Sequence, residues 1–577
     1  MKPIADLHCH PSLKPVNNSK IKTIWQYKKN LYTRALFKGF LGISPRRWLI
    51  NSFARDLARH TQSNLDNCYE GNNRLIALSI YPPERPFLKP ARPFKRSTDF
   101  QRFILNTIFG EKLSRTIDTK IIRVLTGFSA LSIKTYLRSI YDEAYVDYFK
   151  DFEKEYRYIE KSHQSVTSNA KLIYKPSFML VHNYKEFRRI KSQHIIAGII
   201  SIEGMHALAK YKNANLFKNR SIDSLGKVDQ QALKKSFIAN INRIKDTKQF
   251  SCTPFFITLS HHFNNLISGH AKSFADAKNH KIPGFSNVFD QRQGLNLGIT
   301  EFGKKLIIDY LLSKHNGRRI LIDTKHMSLK ARDEYIRIIK DFKTNGDHIP
   351  IICSHTAING IPTRNEAAKS KDTNKLDKRS YISRWDINLT DQDIREIYDS
   401  QGLIGILMHD GRMPGGKFKK LFLEFKRGMY NNRESINRLH GQMFLTNVFH
   451  IAKINLEHIR SLNLKNQTEK IDEKEAWSTM CLGSDNDGIV DPFDHYNTAA
   501  TLDEFKNRLS KHIKLNFKPY MKRFQIVQVT GKSCRFFSQN EINDLMLGYS
   551  PEQLMERVFS DNFTLFLKRY YTDEYLV

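Results

Sequence analysis

Short apolar runs bounded by turn or polar residues recur along the whole chain. In order they are PIADLHCH, RLIALSIYP, HIIAGIISIEG, TPFFITLSH, RRILIDTKH, IPIICSH, GLIGILMHD and TMCLGSDND. Each is nearly continuously apolar, which is what a parallel strand buried on both faces requires. The segments between them carry a helical period; from Thr300 to Ser313, for example, Phe302, Leu306, Ile307, Tyr310 and Leu311 form one apolar stripe. Eight strands alternating with helices predict an α/β fold, a (β/α)8 TIM-type barrel. A ninth run, KLIYKPSFMLV, holds Pro176 and reads as an additional strand or part of a connection, because proline cannot donate to a central ladder.

The spacing of the runs predicts one barrel over residues 1–577 with two basic helical insertions, 84–170 and 412–475. The first contains FQRFILNTIFGEKLSRTIDTKIIRVLTGFSALSIKTYL, where aromatic and aliphatic residues alternate with Lys and Arg. The second opens on the loop-like GRMPGG. A polar stretch, NEAAKSKDTNKLDKRS, has no periodicity and reads as a loop.

Composition changes this picture in two ways. The 577 residues include 93 Lys+Arg against 58 Asp+Glu, a net charge of +35, which favours anionic ligands or surfaces but says nothing about fold. The bland reading of the same excess is a lysine-rich solvated surface. Six cysteines lie far apart with no C-x-x-C, and Cys9, Cys353 and Cys481 fall inside predicted strands as small hydrophobes, so a reducing cytoplasm is the expected location. No signal-peptide pattern opens the chain and no run of eighteen apolar residues occurs, so no membrane span is expected.

A barrel of this kind keeps its chemistry at the C-terminal ends of its strands. The first run ends in His8 and His10, the third in Glu203, the fourth in His261, the fifth in His326, the sixth in His355 and the eighth in Asp485. Residues i and i+2 of a strand share a face, so His8 and His10 aim at one point. One H-x-H among 21 histidines is a weak signal, but six strand ends of eight finishing on His or a carboxylate is a strong one. Imidazole and carboxylate suit Zn²⁺ and similar divalent ions, and Glu203, with two oxygens, could bridge a pair of them. Asp485 is then the candidate acid/base for a metal-assisted hydrolysis. His206, His262 and Asp487 read as supporting groups, Asp323 as an orienting or space-filling group, and His409 as a pocket-lining histidine.

The stretches DLHCHPS, TQSNLDNCYEG, SIEGMHAL, FFITLSHHFN, GLNLGITEFGKKLI, ILIDTKHMS, IPIICSHTA, INLTDQDIREI, CLGSDNDGI and GYSPEQLMERVFSDNFTLFL resemble, in order and from end to end, the membrane (renal-type) dipeptidase family of the metal-dependent amidohydrolases. The resemblance implies a binuclear zinc site with His8 and His10 on one ion, His326 and His355 on the other, and Glu203 between. It also implies that His261 contacts the substrate carbonyl or tetrahedral intermediate, and that an arginine before NLTD grips the substrate carboxylate. Arg384 is the candidate, with Arg379 behind it. The family usually carries H-x-D where this chain has His10, so another amide, an ester or a lactone stands as the alternative substrate.

The expected partner is accordingly a small molecule with a free carboxylate, such as a dipeptide. A barrel tethered by its basic insertions to an anionic membrane surface is a third reading. A second copy of the chain is a further candidate partner, and nucleic acid is not expected.

Overall fold

The computed structural model describes residues 2–27, 60–88, 126–141, 145–190, 194–273, 291–369, 379–427, 433–466, 468–515, 526–529 and 534–577. Eight parallel strands close on themselves: β1 (Ile4–Cys9), β2 (Asn73–Ile80), β3 (Ile195–Glu203), β4 (Phe256–Thr258), β5 (Leu321–Asp323), β6 (Ile352–Thr356), β7 (Leu403–Ile406) and β8 (Met480–Leu482). Each pairs with its successor, and Asp6 of β1 opposite Leu482 of β8 closes the ring. These are the eight apolar runs of the sequence, and the molecule is the α/β barrel they predict. Residues such as Ile76, Leu78, Ile200, Ile257 and Ile404 are wholly buried, as strands covered on both faces demand.

The ninth run becomes an extra strand, Ser177–Leu180, which pairs with the first half of β3, while β4 takes the second half on that side. Pro176 stands just before it, outside the ladder. Cys9, Cys353 and Cys481 lie buried in β1, β6 and β8 as free thiols.

The helices show where periodicity needed adjustment. The stripe after Thr300 forms a short helix, Glu301–Lys305, that widens into a π-turn over Leu306–Leu311. Phe302, Leu306, Ile307 and Leu311 are buried and Tyr310 packs beside them, so the widened turn keeps the stripe on the barrel wall. In the 84–170 segment, residues 89–125 and 142–144 lie outside the described residues, and with them most of the amphipathic stretch. The rest includes α1 (Tyr148–Ser162), capped by Asp147, whose Phe152, Tyr156 and Ile159 are fully buried. Helix α2 (Lys227–Lys245) leads into β4. In the 412–475 segment, α3 (Arg433–Lys465) is buried through most of its middle, from Ile436 to Ile459, and connects β7 to β8. Residues 370–378 of the polar stretch also lie outside the described residues. No described helix is long and apolar enough to cross a membrane.

The floor of the barrel, at the N-terminal ends of the strands, is closed by α4 (Asn562–Tyr570) and the residues after it. Tyr571 donates its hydroxyl to Val181 O at 2.6 Å, and Leu576 O accepts from Arg319 N at 2.7 Å. The opposite end is left for chemistry.

Candidate metal centre

The strand ends predicted to carry chemistry meet at one point. The pleat of β1 puts His8 and His10 on one face, with their Nε2 atoms 3.0 Å apart. Glu203, the last residue of β3, faces both: His8 Nε2 lies 3.5 Å from Oε1 and His10 Nε2 3.2 Å from Oε2. Across the mouth, His326 Nε2 is 3.4 Å and His355 Nε2 3.5 Å from Glu203 Oε1. The carboxylate therefore stands between two pairs of imidazoles. Asp485 closes the ring, with Oδ1 3.7 Å from His8 and 3.5 Å from His10 and Oδ2 3.8 Å from His355.

Local backbone geometry is unusual at these positions. His326 and Asp485 both adopt left-handed φ values, +66° and +57°, a conformation that costs non-glycine residues energy and that surrounding contacts must hold. Asp485 N donates to His8 O at 2.9 Å and His10 N to Asn486 O at 2.8 Å, so β1 and the loop after β8 fix each other. Gly488 is required here. A Cβ on it would meet Asp485 Oδ1 at 2.0 Å.

Beneath the ring, supporting contacts are dense. Asp6 takes Ser484 N (2.9 Å) and Ser484 Oγ (2.5 Å), and burial raises its carboxyl to about 6. Asp487 pairs with the fully buried Lys14 at 2.7 Å and accepts from Gln62 N and Ser63 N, each at 2.8 Å; burial opposes its ionisation, but Lys14 holds it below the usual carboxylate range. Asp323 accepts from Thr258 Oγ1, Ser354 Oγ, Ser354 N and Lys325 N. His206 is tied by Nε2 to Pro82 O at 2.9 Å, and His409 by Nδ1 to Gly411 N at 2.9 Å. The ring of His262 lies tilted, 3.8 Å from that of His261, and stands 4.8 Å from that of His326.

The electrostatics fit a divalent cation. Burial keeps His326 and His355 well below the ordinary histidine range, so both are neutral imidazoles with lone pairs to give. Among the described residues, neither nitrogen of His326, nor Asp485 Oδ1, has a hydrogen-bond partner. Burial would raise Glu203, but the charges of His261 and His8 and contacts with His10 hold it well below the carboxylate range. Burial likewise resists charge on His10, yet Asp485 and Glu203 push it up to about 10. Two buried carboxylates thus draw positive charge, and the unprotonated His326 and His355 stand beside them. His8, His10 and Glu203 form one ligand-like group and Glu203, His326 and His355 a second; two others are His8, His355 and Asp485, and His261, His262 and His326.

Sequence reasoning missed three participants. Glu84, four residues beyond β2, accepts from His261 Nδ1 at 2.6 Å while His261 Nε2 faces Glu203 at 3.4 Å. Burial disfavours charge on His261, but Glu203 and Glu84 raise it to about 9. The signal was available: an acid following the second strand, in a chain where nearly every strand end carries chemistry. The other two are Lys325, buried beside His326 and lowered to about 8 chiefly by burial, and Arg412, lowered to about 10 by burial. Arg384 is buried in a segment whose Ser383 N donates to Met413 O at 2.9 Å, and the next residue, Trp385, lies under the Arg412 guanidinium. Arg379 is exposed.

No family model and no curated protein matches the chain. Among solved structures it is similar to a metallopeptidase called dipeptidase AC, at 15% identity, with 99% of each chain covered and a TM-score of 0.43. It is also similar to a metallopeptidase from Rhodobacter sphaeroides liganded with a phosphinate mimic of the dipeptide L-Ala-D-Ala (13% identity, 98% of this chain and 99% of that one, TM-score 0.42). A third is a probable dipeptidase, PvdM, from Pseudomonas aeruginosa (12% identity, 91% and 98% covered, TM-score 0.33). These are likenesses at low identity. The chemistry stands on this chain's own side chains.

Proposed function

We propose that this protein is a metal-dependent hydrolase that cleaves a dipeptide or a related amide bond next to a free carboxylate. The observation that supports it most is Glu203 set between the His8–His10 and His326–His355 pairs, with Asp485 closing the ring. In this reading His8, His10, Glu203, His326 and His355 hold two divalent ions, Zn²⁺ being the ion that imidazole and carboxylate suit best. When bound, such a pair supplies a hydroxide at neutral pH and polarises a carbonyl.

The chain's own groups do the rest. Asp485 Oδ1, without a hydrogen-bond partner among the described residues, takes a proton from the nucleophile and returns it to the leaving amine. His261, its Nδ1 anchored by Glu84, presents Nε2 to the oxygen that becomes negative. Arg384 stays the candidate for the substrate carboxylate, with the fork geometry suited to it. The departure at His10 favours a second reading in which the substrate is another amide, an ester or a lactone.

Elemental analysis of purified protein, alongside hydrolysis of L,L- and L,D-dipeptides, tests both parts. Two equivalents of zinc with turnover is the expected result. Two equivalents without dipeptide turnover would move the substrate to other amides, esters or lactones, and no metal after reconstitution would end the hydrolase reading.

A further inference from the structure

The segment that delivers Glu84 to His261 is held largely from outside itself. Beyond β2 it runs Tyr81-Pro82-Pro83-Glu84-Arg85, and its two prolines have no N–H to donate. Three backbone donors remain, and side chains take all of them. Glu84 N donates to the Tyr81 hydroxyl at 3.4 Å, within the segment. Arg85 N donates to the Tyr148 hydroxyl at 2.8 Å, and Tyr81 N donates to Glu155 Oε2 at 3.3 Å. Both of these outer acceptors stand on α1.

Helix α1 meets the segment with one face. Tyr148, Asp151 and Glu155 recur at i, i+3 and i+7, the spacing of a single helical stripe, and Asp151 Oδ2 accepts from the Arg85 guanidinium at 2.6 Å. Glu155 is only 2% exposed and its carboxylate is shared: while Oε2 holds Tyr81, Oε1 accepts at 2.6 Å from Ser12 Oγ, in the turn after His10. Tyr81 passes the anchorage on. Its hydroxyl donates to Glu84 Oε2 at 3.3 Å, the same oxygen that lies 2.6 Å from His261 Nδ1, and its ring lies 4.7 Å from the His261 ring. Contacts therefore run unbroken from α1 through Tyr81 and Glu84 to His261.

We propose that Glu155 and Tyr148 of α1 are positioning residues of the hydrolytic site, fixing the two ends of Tyr81–Arg85 so that Glu84 sets the His261 ring towards Glu203. This rests on the hydrolase reading and deepens it: a helix of the 84–170 segment becomes part of what orients the reacting groups. Neither residue needs to touch the substrate. Each takes a backbone N–H that an apolar side chain would leave buried and unmade, and the segment would then shift to find another partner. A misplacement of about 1 Å at a reacting group costs up to about 100-fold in rate, so a small shift here is felt at His261.

The test uses the full-length, metal-loaded protein with isotope-labelled histidine rings. It reads kcat and KM for dipeptide hydrolysis, zinc content, and the magnetic-resonance signal of the His261 ring, assigned by its loss in His261→Gln. Glu155→Met is expected to lower kcat about tenfold with KM and zinc unchanged, and to move the His261 signal in the direction that Glu84→Gln moves it. Glu155→Gln keeps an oxygen for Tyr81 N and an amide for Ser12 Oγ, so it should restore both readings. A lower urea midpoint in Glu155→Met with kcat and the His261 signal in place would overturn the proposal, as would Glu155→Gln as impaired as Glu155→Met. If Glu155→Met does not fold, Tyr148→Phe, which deletes the acceptor of Arg85 N and little volume, carries the same comparison with the same two outcomes. A His261 signal moved by these variants in a protein that turns over no dipeptide would remove the dipeptidase reading and leave the positioning role standing. Dipeptide turnover with kcat and signal unmoved would remove the positioning role alone.

Discussion

Two buried lysines, one at each end of the barrel, are treated in opposite ways. At the floor, Lys245 ends α2 and donates to Ser313 O and Asn316 Oδ1, both at 2.8 Å. At the mouth, Lys325 is equally buried and has no such partner among the described residues. The same contrast runs through their neighbours. The floor groups Arg319 and Tyr575 are satisfied within the chain: Arg319 pairs with Asp347 and donates to Leu312 O, and Tyr575 donates its hydroxyl to His348 O at 2.9 Å. At the mouth, both ring nitrogens of His326 and Asp485 Oδ1 have no hydrogen-bond partner among the described residues. A buried polar group with a partner in the chain serves stability, whereas one without is costly to keep unless something from outside completes it.

The largest effect that sharpens this contrast is expected from Glu203→Gln. A neutral amide cannot serve two cations, so bound metal should be lost and activity should fall by about 10³-fold or more, several kcal/mol of charge stabilisation. Metal analysis and kcat/KM read it. Retention of both metal and rate would break the contrast at its centre.

Glu84→Gln comes next. It leaves the ligands in place but loosens His261, and a loss of about 10- to 100-fold in kcat is expected with metal content held, as for other groups that orient a site histidine. Loss of metal instead would make His261 a ligand rather than a substrate contact.

At the floor, the titration of Lys245 is the next largest effect. Burial lowers it from 10.5 to about 7, so between those values the unfolded chain holds a proton that the folded chain lacks. Stability should therefore rise as the pH climbs from about 7 towards 10.5, on the order of 1 kcal/mol per unit. Urea unfolding of wild type and Lys245→Met across this window should show the rise only in the wild type, and the kcat of the variant should match that of wild type.

The smallest effect belongs to Tyr571→Phe. It removes one hydrogen bond to Val181 O and should cost about 1 kcal/mol of stability with no change in kcat. A kcat effect from this residue would mean that floor and mouth are coupled.

How legible these two ends were in the sequence differs in kind. His8 and His10 could be paired on paper because a strand repeats every two residues, and Glu203, His326, His355 and Asp485 because each follows an apolar run. Glu84 could not be paired so: its partner His261 is 177 positions away, and it stands beyond Tyr81-Pro82-Pro83 rather than at the strand end. Lys325 carries no signal of its own, since nothing in KHMS says that an ammonium there is buried without an ion-pair partner among the described residues. Helix α3 was expected within the 412–475 segment as a basic helix, but its burial was not legible. Its charges cluster towards its ends while its middle is apolar on most sides, so a period search finds no single face to bury.

What the sequence determined by itself was the set of strands, their order and the residue that ends each of them. Hydrophobic burial and strand period act locally and repeat with every unit. What only the tertiary structure decided was which of those residues face one another and which buried charge is left without a partner. Distances of 3 to 4 Å between groups hundreds of residues apart follow from ring closure, and no local pattern encodes them.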